Sequence, residues 1–257
     1  FVKLTSKIAA HEVGHLLGIL HSDAIGPIGY GTHLPLYPSQ GNPVLDIAPA
    51  AFETTANLIS SPASVGSDRF SDLGSLYFGE RQTVKLAIAF ADPMIVQTAK
   101  QPAPSTLAAP QEVALAPLSV ANTLGPDALN YGKLFLVSAR QVNGLSNGTS
   151  DFYRFNATQG QLINAEAASQ VLVLSGNVSV FNTTLILRNT LGTIVATNYD
   201  GFETTDAQIV DFMVPEDGIY TIEVASVGET LSCIQQMRVL LLGNRFYCSV
   251  SKQFCSP

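Results

Sequence analysis

The sequence is organised around residues 11–21, which run His11-Glu12-Val13-Gly14-His15-Leu16-Leu17-Gly18-Ile19-Leu20-His21. Residues four apart lie on one face of an α-helix, so His11 and His15 can approach the same ion. Gly18 can adopt the left-handed conformation that ends a helix and turns the chain back. Such a turn would carry His21 to the first two imidazoles. The stretch therefore predicts a metal site with three histidine ligands.

Three neutral imidazoles leave one tetrahedral position of a zinc ion open for water, which is the arrangement of a catalytic zinc. Zinc lowers the pKa of this water to about 7, and Glu12 can take its proton as the water attacks a carbonyl carbon. Glu12 would then deliver the proton to the leaving amine. The alternative is a helix with surface histidines, but three of the four histidines in the chain fall at the required spacing.

The other side of this helix carries apolar residues, namely Val13, Leu17 and Leu20. Their spacing predicts a face turned away from the histidines and buried in the protein, as an active-site helix requires.

The pattern HExxHxxGxxH in these residues resembles the metzincin zinc endopeptidases, and Ser22 is most similar to their matrixin branch. The resemblance implies that His11, His15 and His21 are the zinc ligands and that Glu12 is the general base. Asp23 would either orient His21 from outside the ligand shell or be an ordinary loop aspartate, and the second alternative is favoured.

Metzincins have a twisted sheet before this helix, and the edge strand of that sheet pairs with the extended substrate. Residues 1–97 are therefore expected to be the C-terminal half of such a domain, and the chain by itself is expected to be a slow peptidase. Metzincins also place a methionine in a tight turn beneath the zinc. Ile59 stands at that place in residues 57–64, whereas Met94 lies too far along the chain. An apolar residue of similar volume can fill the same space.

A second helix is predicted over residues 78–90, because Val84, Ala87, Ile88 and Ala91 have helical spacing. It is expected to close the peptidase part before Asp92-Pro93, since a residue before proline disfavours helix. The next segment, 98–117, is rich in alanine, proline, glutamine and serine, and this composition predicts a semi-extended linker.

Beyond the linker the apolar period changes to two, as in Tyr220, Ile222 and Val224. Short runs of this kind, separated by turn signals such as 189–192 and 215–218, predict an antiparallel β-sandwich over 118–244. Segments 151–155, 160–163 and 215–224 are similar to the bacterial pre-peptidase C-terminal domain, a β-sandwich appended to secreted peptidases. The expected fold class is α+β: a partial metzincin domain followed by an all-β sandwich and a cysteine-containing tail, 245–257.

A calcium site in the sandwich is a weaker hypothesis. It would use five oxygen-bearing side chains, those of Asn198, Asp200, Glu203, Thr205 and Asp206. Oxygen ligands suit calcium, but the spacing does not match an EF-hand, and an ordinary polar loop is favoured.

Composition indicates which classes of binding partner and which cellular location to expect. A net charge of −7 with 13 lysines and arginines argues against nucleic acid and anionic membranes as partners. The sequence has no apolar run long enough to span a membrane. Three cysteines close to the C-terminus suggest an oxidising compartment, with at least one of them unpaired within the chain: Cys233, Cys248 and Cys255. Four N-x-Ser/Thr sequons, at Asn147, Asn156, Asn177 and Asn182, likewise favour an extracellular or cell-surface protein.

The sequence thus favours a zinc-dependent metalloendopeptidase that acts on a protein or peptide through a zinc-bound water activated by Glu12. The first alternative is a non-catalytic binding module whose metzincin portion is a relic, which Ile59 and the absent sheet favour. The second alternative is a purely structural zinc. In that case Glu12→Ala would leave every measurable property unchanged.

Overall fold

The computed structural model of the protein describes residues 2–24, 57–61, 78–91, 94, 97–102, 105–121, 134–145, 149–170, 182–199, 207–227 and 236–245. Helix α1 spans Val2–Leu16 and is followed by a short 3₁₀ helix, His21–Ala24, while helix α2 spans Glu80–Phe90. The strands follow in chain order: β1 (Gln97–Ala99), β2 (Gln111–Glu112), β3 (Ala116–Ala121), β4 (Leu134–Leu145), β5 (Asp151–Ala157), β6 (Leu162–Gln170), β7 (Asn182–Arg188), β8 (Ile194–Asn198), β9 (Ala207–Met213), β10 (Gly218–Val227) and β11 (Gln236–Arg245).

The strands form two sheets. The first has the order β1-β4-β11-β6-β9, and β3 also pairs with β4. The second has the order β2-β5-β10-β7-β8. Most neighbouring strands are antiparallel, as predicted, but β1 pairs with β4 and β2 with β5 in parallel. The described part of the chain is therefore mostly β-sheet with few helices.

One hydrophobic core joins the inner faces of the two sheets. It includes Tyr153 on β5, Ile163 on β6, Leu187 on β7 and Ile222 on β10, each at most 1% exposed. Ile222 lies between Tyr153 and Leu187 in the register of the second sheet. The period-two pattern therefore marked the core strands correctly, and the coarse expectation of a β-sandwich is confirmed.

The hairpin between β7 and β8 shows how a local signal sets the topology. The predicted turn at 189–192 is present: the Asn189 N–H donates to Thr193 O, and Gly192 N–H donates to Asn189 O. Gly192 has φ of +79°, a conformation that glycine adopts without steric cost.

The segment predicted to be a linker, 98–117, instead contributes residues to both sheets through β1, β2 and β3. Its polar side chains make the connections: Gln111 Nε2 donates to Ala99 O at 3.0 Å, and Phe152 N–H donates to Ser105 Oγ at 2.7 Å. Prolines are compatible with strands at the edge of a sheet. The linker prediction was therefore wrong, because a segment of this composition can still form edge strands.

Helix α2 forms as predicted, but it packs against the outer face of the first sheet. Val84 and Ile88 are buried against Val137 and Ala139 of β4. Burial of each of these two α2 side chains contributes about 1.5–3 kcal/mol. The helix that was expected to close the peptidase part therefore packs on the sandwich.

A bulge in β9 provides a polar anchor for α2. The register between β6 and β9 shifts between Ile163 and Ala165, and Asp211 in β9 has φ of 51°. The Asp211 carboxylate accepts two hydrogen bonds from Arg81, at 3.1 and 2.7 Å. Both side chains are buried. The bulge therefore directs a carboxylate towards the helix that covers the sheet.

No helix in the described part of the chain combines the length and the apolar character that crossing a bilayer requires.

Candidate metal centre

Helix α1 ends in a hydrogen-bonded reversal that carries the chain back along itself. The Ile19 N–H donates to Gly14 O at 3.1 Å, and the Gly18 N–H donates to His15 O at 2.9 Å. This pair of bonds is a Schellman motif, and Gly18 at φ of +83° occupies its left-handed position. The conformation predicted for Gly18 is confirmed.

The reversal brings the three histidines together. His15 Nε2 lies 2.9 Å from His11 Nε2, and His11 Nε2 lies 3.1 Å from His21 Nε2. One nitrogen from each ring lies within 4.8 Å of the other two. Zinc–nitrogen bonds of about 2.0–2.1 Å at tetrahedral angles separate two ligand atoms by about 3.4 Å. The spacing of the three rings therefore suits a small cation with imidazole ligands.

Backbone carbonyls fix the orientation of two of the rings. Nδ1 of His11 lies 2.7 Å from Leu58 O, and Nδ1 of His15 lies 2.9 Å from Ile19 O. Because a carbonyl can only accept, the proton of each neutral ring is assigned to Nδ1, and Nε2 then presents a lone pair. Lone pairs facing each other at 2.9 Å repel unless a positive charge lies between them. This arrangement is the one that metal-binding histidines adopt.

The carbonyl that orients His11 belongs to a tight turn, residues 57–60, closed by a bond from the Ser60 N–H to Asn57 O. The next residue in it, Ile59, is fully buried. A β-carbon on Gly14 would lie 2.5 Å from Ile59 Cδ1, so this side chain packs directly against the histidine helix. Met94 is 87% exposed and does not fill this space. Ile59 is therefore a buried apolar side chain that packs against the histidine helix.

Two of the three residues predicted to form a buried face of α1 are exposed, and the third, Leu20, is half-buried. Val13 is 51% exposed and Leu17 is 36% exposed, whereas His11 and Gly14 are buried. The physical reason is that the turn at 57–60 packs on the histidine side of the helix. The sequence period identified two faces but assigned the wrong one to the interior.

Glu12 lies next to His11 on the helix, and its side chain is exposed. An exposed carboxylate beside the histidine cluster is accessible to solvent.

Asp23 is not the ordinary loop aspartate that the sequence favoured. It is buried, its Oδ2 accepts the Leu20 N–H at 2.9 Å, and the same oxygen lies 2.9 Å from Lys85 Nζ. Lys85 also contacts Glu166 Oε2 at 2.5 Å. Burial opposes the charge of Lys85, but attraction to the two carboxylates outweighs it, so the pKa of Lys85 is raised. The ammonium group stays charged across the physiological pH range.

A buried amide pair joins α2 to the turn beneath the histidines. Asn57 Nδ2 donates to Gln82 Oε1, and Gln82 Nε2 donates to Asn57 Oδ1, both at 3.2 Å. A β-carbon on Gly79 would lie 2.8 Å from Asn57 Nδ2, so any other residue where α2 begins would push against this amide pair. Sequence reasoning missed Asn57, Gln82 and Lys85. For Lys85 a signal existed, because it shares the apolar stripe of Val84 and Ile88.

Several sequence predictions fall outside the described residues. These are the three cysteines, the sequons at Asn147 and Asn177, and four members of the calcium hypothesis, Asp200, Glu203, Thr205 and Asp206. The fifth member, Asn198, is buried and accepts the Gln208 N–H at 2.7 Å through Oδ1. The sequon residue Asn156 is exposed.

No family profile and no curated protein matches this sequence. Among solved structures, the periplasmic g-type lysozyme inhibitor PliG of Aeromonas hydrophila is 16% identical and covers 42% of this chain and 86% of its own, with a TM-score of 0.27. The pre-peptidase C-terminal domain of a Bacillus anthracis collagenase is 13% identical and covers 42% and 87%, with a TM-score of 0.27. The PliG of Salmonella Typhimurium is 13% identical and covers 42% and 91%, with a TM-score of 0.26. Likenesses of this size assign neither a family nor an activity.

Proposed function

We propose that this protein is a zinc-dependent metalloendopeptidase of metzincin type, with the β-sandwich as an accessory part related to pre-peptidase C-terminal domains. One observation carries the proposal: three Nε2 atoms converge while the Nδ1 atoms of His11 and His15 face carbonyl oxygens. Neutral imidazoles so oriented are typical zinc ligands.

In this proposal His11, His15 and His21 hold the ion through Nε2. When bound, zinc polarises the scissile carbonyl and makes water more acidic. The exposed carboxylate of Glu12 accepts a proton from the water that attacks the carbonyl carbon. Glu12 then passes this proton to the peptide nitrogen as the carbon–nitrogen bond breaks, which leaves a carboxylic acid and an amine. Ile59 supports the helix that carries two of the ligands.

An extracellular or cell-surface location belongs to the same proposal. It is supported by the acidic composition and by the cysteines and sequons of the C-terminal part. The substrate would be a protein or peptide.

The test compares the chain with its Glu12→Gln variant. Zinc is measured by elemental mass spectrometry on protein purified without chelators, and hydrolysis is followed with quenched fluorescent peptides. We expect about one zinc per chain in both proteins, and hydrolysis reduced by about 10²–10⁴-fold in the variant. The carboxamide keeps the shape of the side chain but cannot accept the proton.

Three results would contradict the proposal. Absence of zinc from the folded chain would show that the three histidines do not form a zinc site. Equal rates of hydrolysis in both proteins would show that Glu12 does not take part in the reaction. Zinc at full occupancy without any hydrolysis would favour the binding-module alternative.

A further inference from the structure

The backbone around His21 is closed by two reciprocal hydrogen bonds. The Leu20 N–H donates to Asp23 Oδ2 at 2.9 Å, and the Asp23 N–H donates to Leu20 O at 3.0 Å. The first bond is the half of a capping box in which the side chain of the fourth residue accepts the N–H of the first, and the second is a main-chain turn bond. His21 lies within this turn, so the Asp23 carboxylate helps to hold the backbone that carries the third histidine.

The same carboxylate is connected to the sandwich through one lysine. Asp23 Oδ2 contacts Lys85 Nζ on α2, and Lys85 Nζ contacts Glu166 Oε2 on β6. The three side chains are 3%, 11% and 11% exposed respectively. We call this set, Glu166, Lys85 and Asp23, the carboxylate bridge.

The charged groups of the carboxylate bridge are buried, and burial keeps them paired. A charge in a poorly solvated position keeps its partner, because separating the two leaves both charges uncompensated. Lys85 therefore cannot move away from either carboxylate when α2 shifts. The helix is itself fixed to the first sheet by the Arg81–Asp211 pair and by Val84 and Ile88.

We propose that the β-sandwich holds His21 in the position required for metal binding, and that the carboxylate bridge transmits this support. Glu166, Lys85 and Asp23 are then positioning residues of the metal centre, although Glu166 belongs to a strand of the sandwich. The inference rests on the proposed zinc site and adds that the sandwich takes part in metal affinity rather than acting as a separate accessory module.

Glu166→Gln tests the inference, because Lys85 keeps Asp23 as a charged partner while its tie to β6 is weakened. Zinc affinity is measured by competition with a chromophoric chelator, and Co²⁺ in place of Zn²⁺ reports the ligand geometry through its visible spectrum. We expect zinc binding to be weakened by about 2-fold to 30-fold, the range found for residues that couple to a site from a distance. The Co²⁺ spectrum is expected to change as well.

Glu223→Gln is the matched control. Glu223 pairs with Arg188 at 2.8 Å in the second sheet, and its side chain is 14% exposed, close to that of Glu166. Both variants remove one carboxylate from a partly buried ion pair of the sandwich, so both should unfold at lower urea concentration. The control is expected to bind zinc as the unaltered chain does.

The outcomes separate the two proposals. Loss of affinity in Glu166→Gln but not in Glu223→Gln supports the inference. Equal affinity in all three proteins, or an equal loss in both variants, overturns it and leaves the zinc site standing. Absence of zinc from the unaltered chain overturns the proposed function itself. If Glu166→Gln does not fold, Glu166→Asp decides, since it keeps the charge but withdraws it from Lys85, and unchanged affinity would then refute the inference.

Discussion

Gly18 is the residue on which the geometry of the metal centre depends most directly. It has φ of +83°, and a β-carbon at this position would meet no atom within 4 Å. The cost of another residue here is therefore conformational and does not come from a clash. The reversal at Gly18 places His21 next to His11. A residue that disfavours this conformation should therefore also weaken the affinity of the site for a metal ion.

We predict that Gly18→Ala lowers the free energy of unfolding by about 1 kcal/mol, since a left-handed conformation is unfavourable for alanine. Zinc affinity should fall with it, because the reversal opens more often. Urea denaturation and chelator competition measure the two effects.

Gly18→Asn is the control, because asparagine tolerates the left-handed region better than alanine does. We expect its loss to be clearly smaller. Equal losses in both variants would mean that the conformation of Gly18 is not the cause.

At the scale of elements, α2 is the helix that connects the two parts of the molecule. One stripe, formed by Arg81, Val84, Lys85 and Ile88, faces the first sheet. Gln82, beside this stripe, bonds to Asn57 beneath the histidines. A helix with an apolar stripe normally has its charges on the opposite face. Here two cationic side chains lie within the stripe, because each forms an ion pair with a carboxylate of the first sheet, on β6 or on β9.

We predict that Arg81→Met destabilises the protein by about 3 kcal/mol, because the buried Asp211 carboxylate loses the guanidinium that neutralises it. Methionine preserves most of the side-chain volume, so lost packing contributes little. Thermal and urea unfolding measure the change.

Arg154→Met provides the comparison, since Arg154 and Glu112 form an ion pair in which both side chains are largely exposed. Such exposed pairs contribute little to stability, because water screens the two charges. A similar small effect for Arg81→Met would show that the Arg81–Asp211 pair does not anchor the helix.

At the scale of the whole molecule, the histidine site and the sandwich share α2 and should therefore stabilise each other. A ligand that binds only the folded state adds about 2.7 kcal/mol at a concentration 100 times its dissociation constant. If the two parts unfold together, this stabilisation reaches strands far from the histidines.

We predict that zinc slows amide hydrogen exchange in β4 and β6 as well as in α1. Exchange is measured by mass spectrometry with zinc and with a chelator, and the His15→Ala variant serves as the control that should not respond to zinc. Protection confined to α1 would mean that the sandwich unfolds independently of the metal centre.

The sequence by itself determined the features that depend on residues close together in the chain. The spacing of His11, His15 and His21 and the turn at Gly18 predicted the convergence of the three rings. The period of two identified the core positions of β10, and helical spacing identified α2. These features follow from backbone geometry and from local steric preferences, which a short window of sequence contains.

Only the tertiary structure decided what these elements pack against. A period shows that a helix or strand has two faces, but the partner of each face comes from distant residues. The turn at 57–60 therefore buried the histidine side of α1 and left Val13 exposed, and the predicted linker became edge strands. Lys85 likewise has no local partner in the sequence. Its role follows from two carboxylates, Asp23 and Glu166, that only folding brings to the same place.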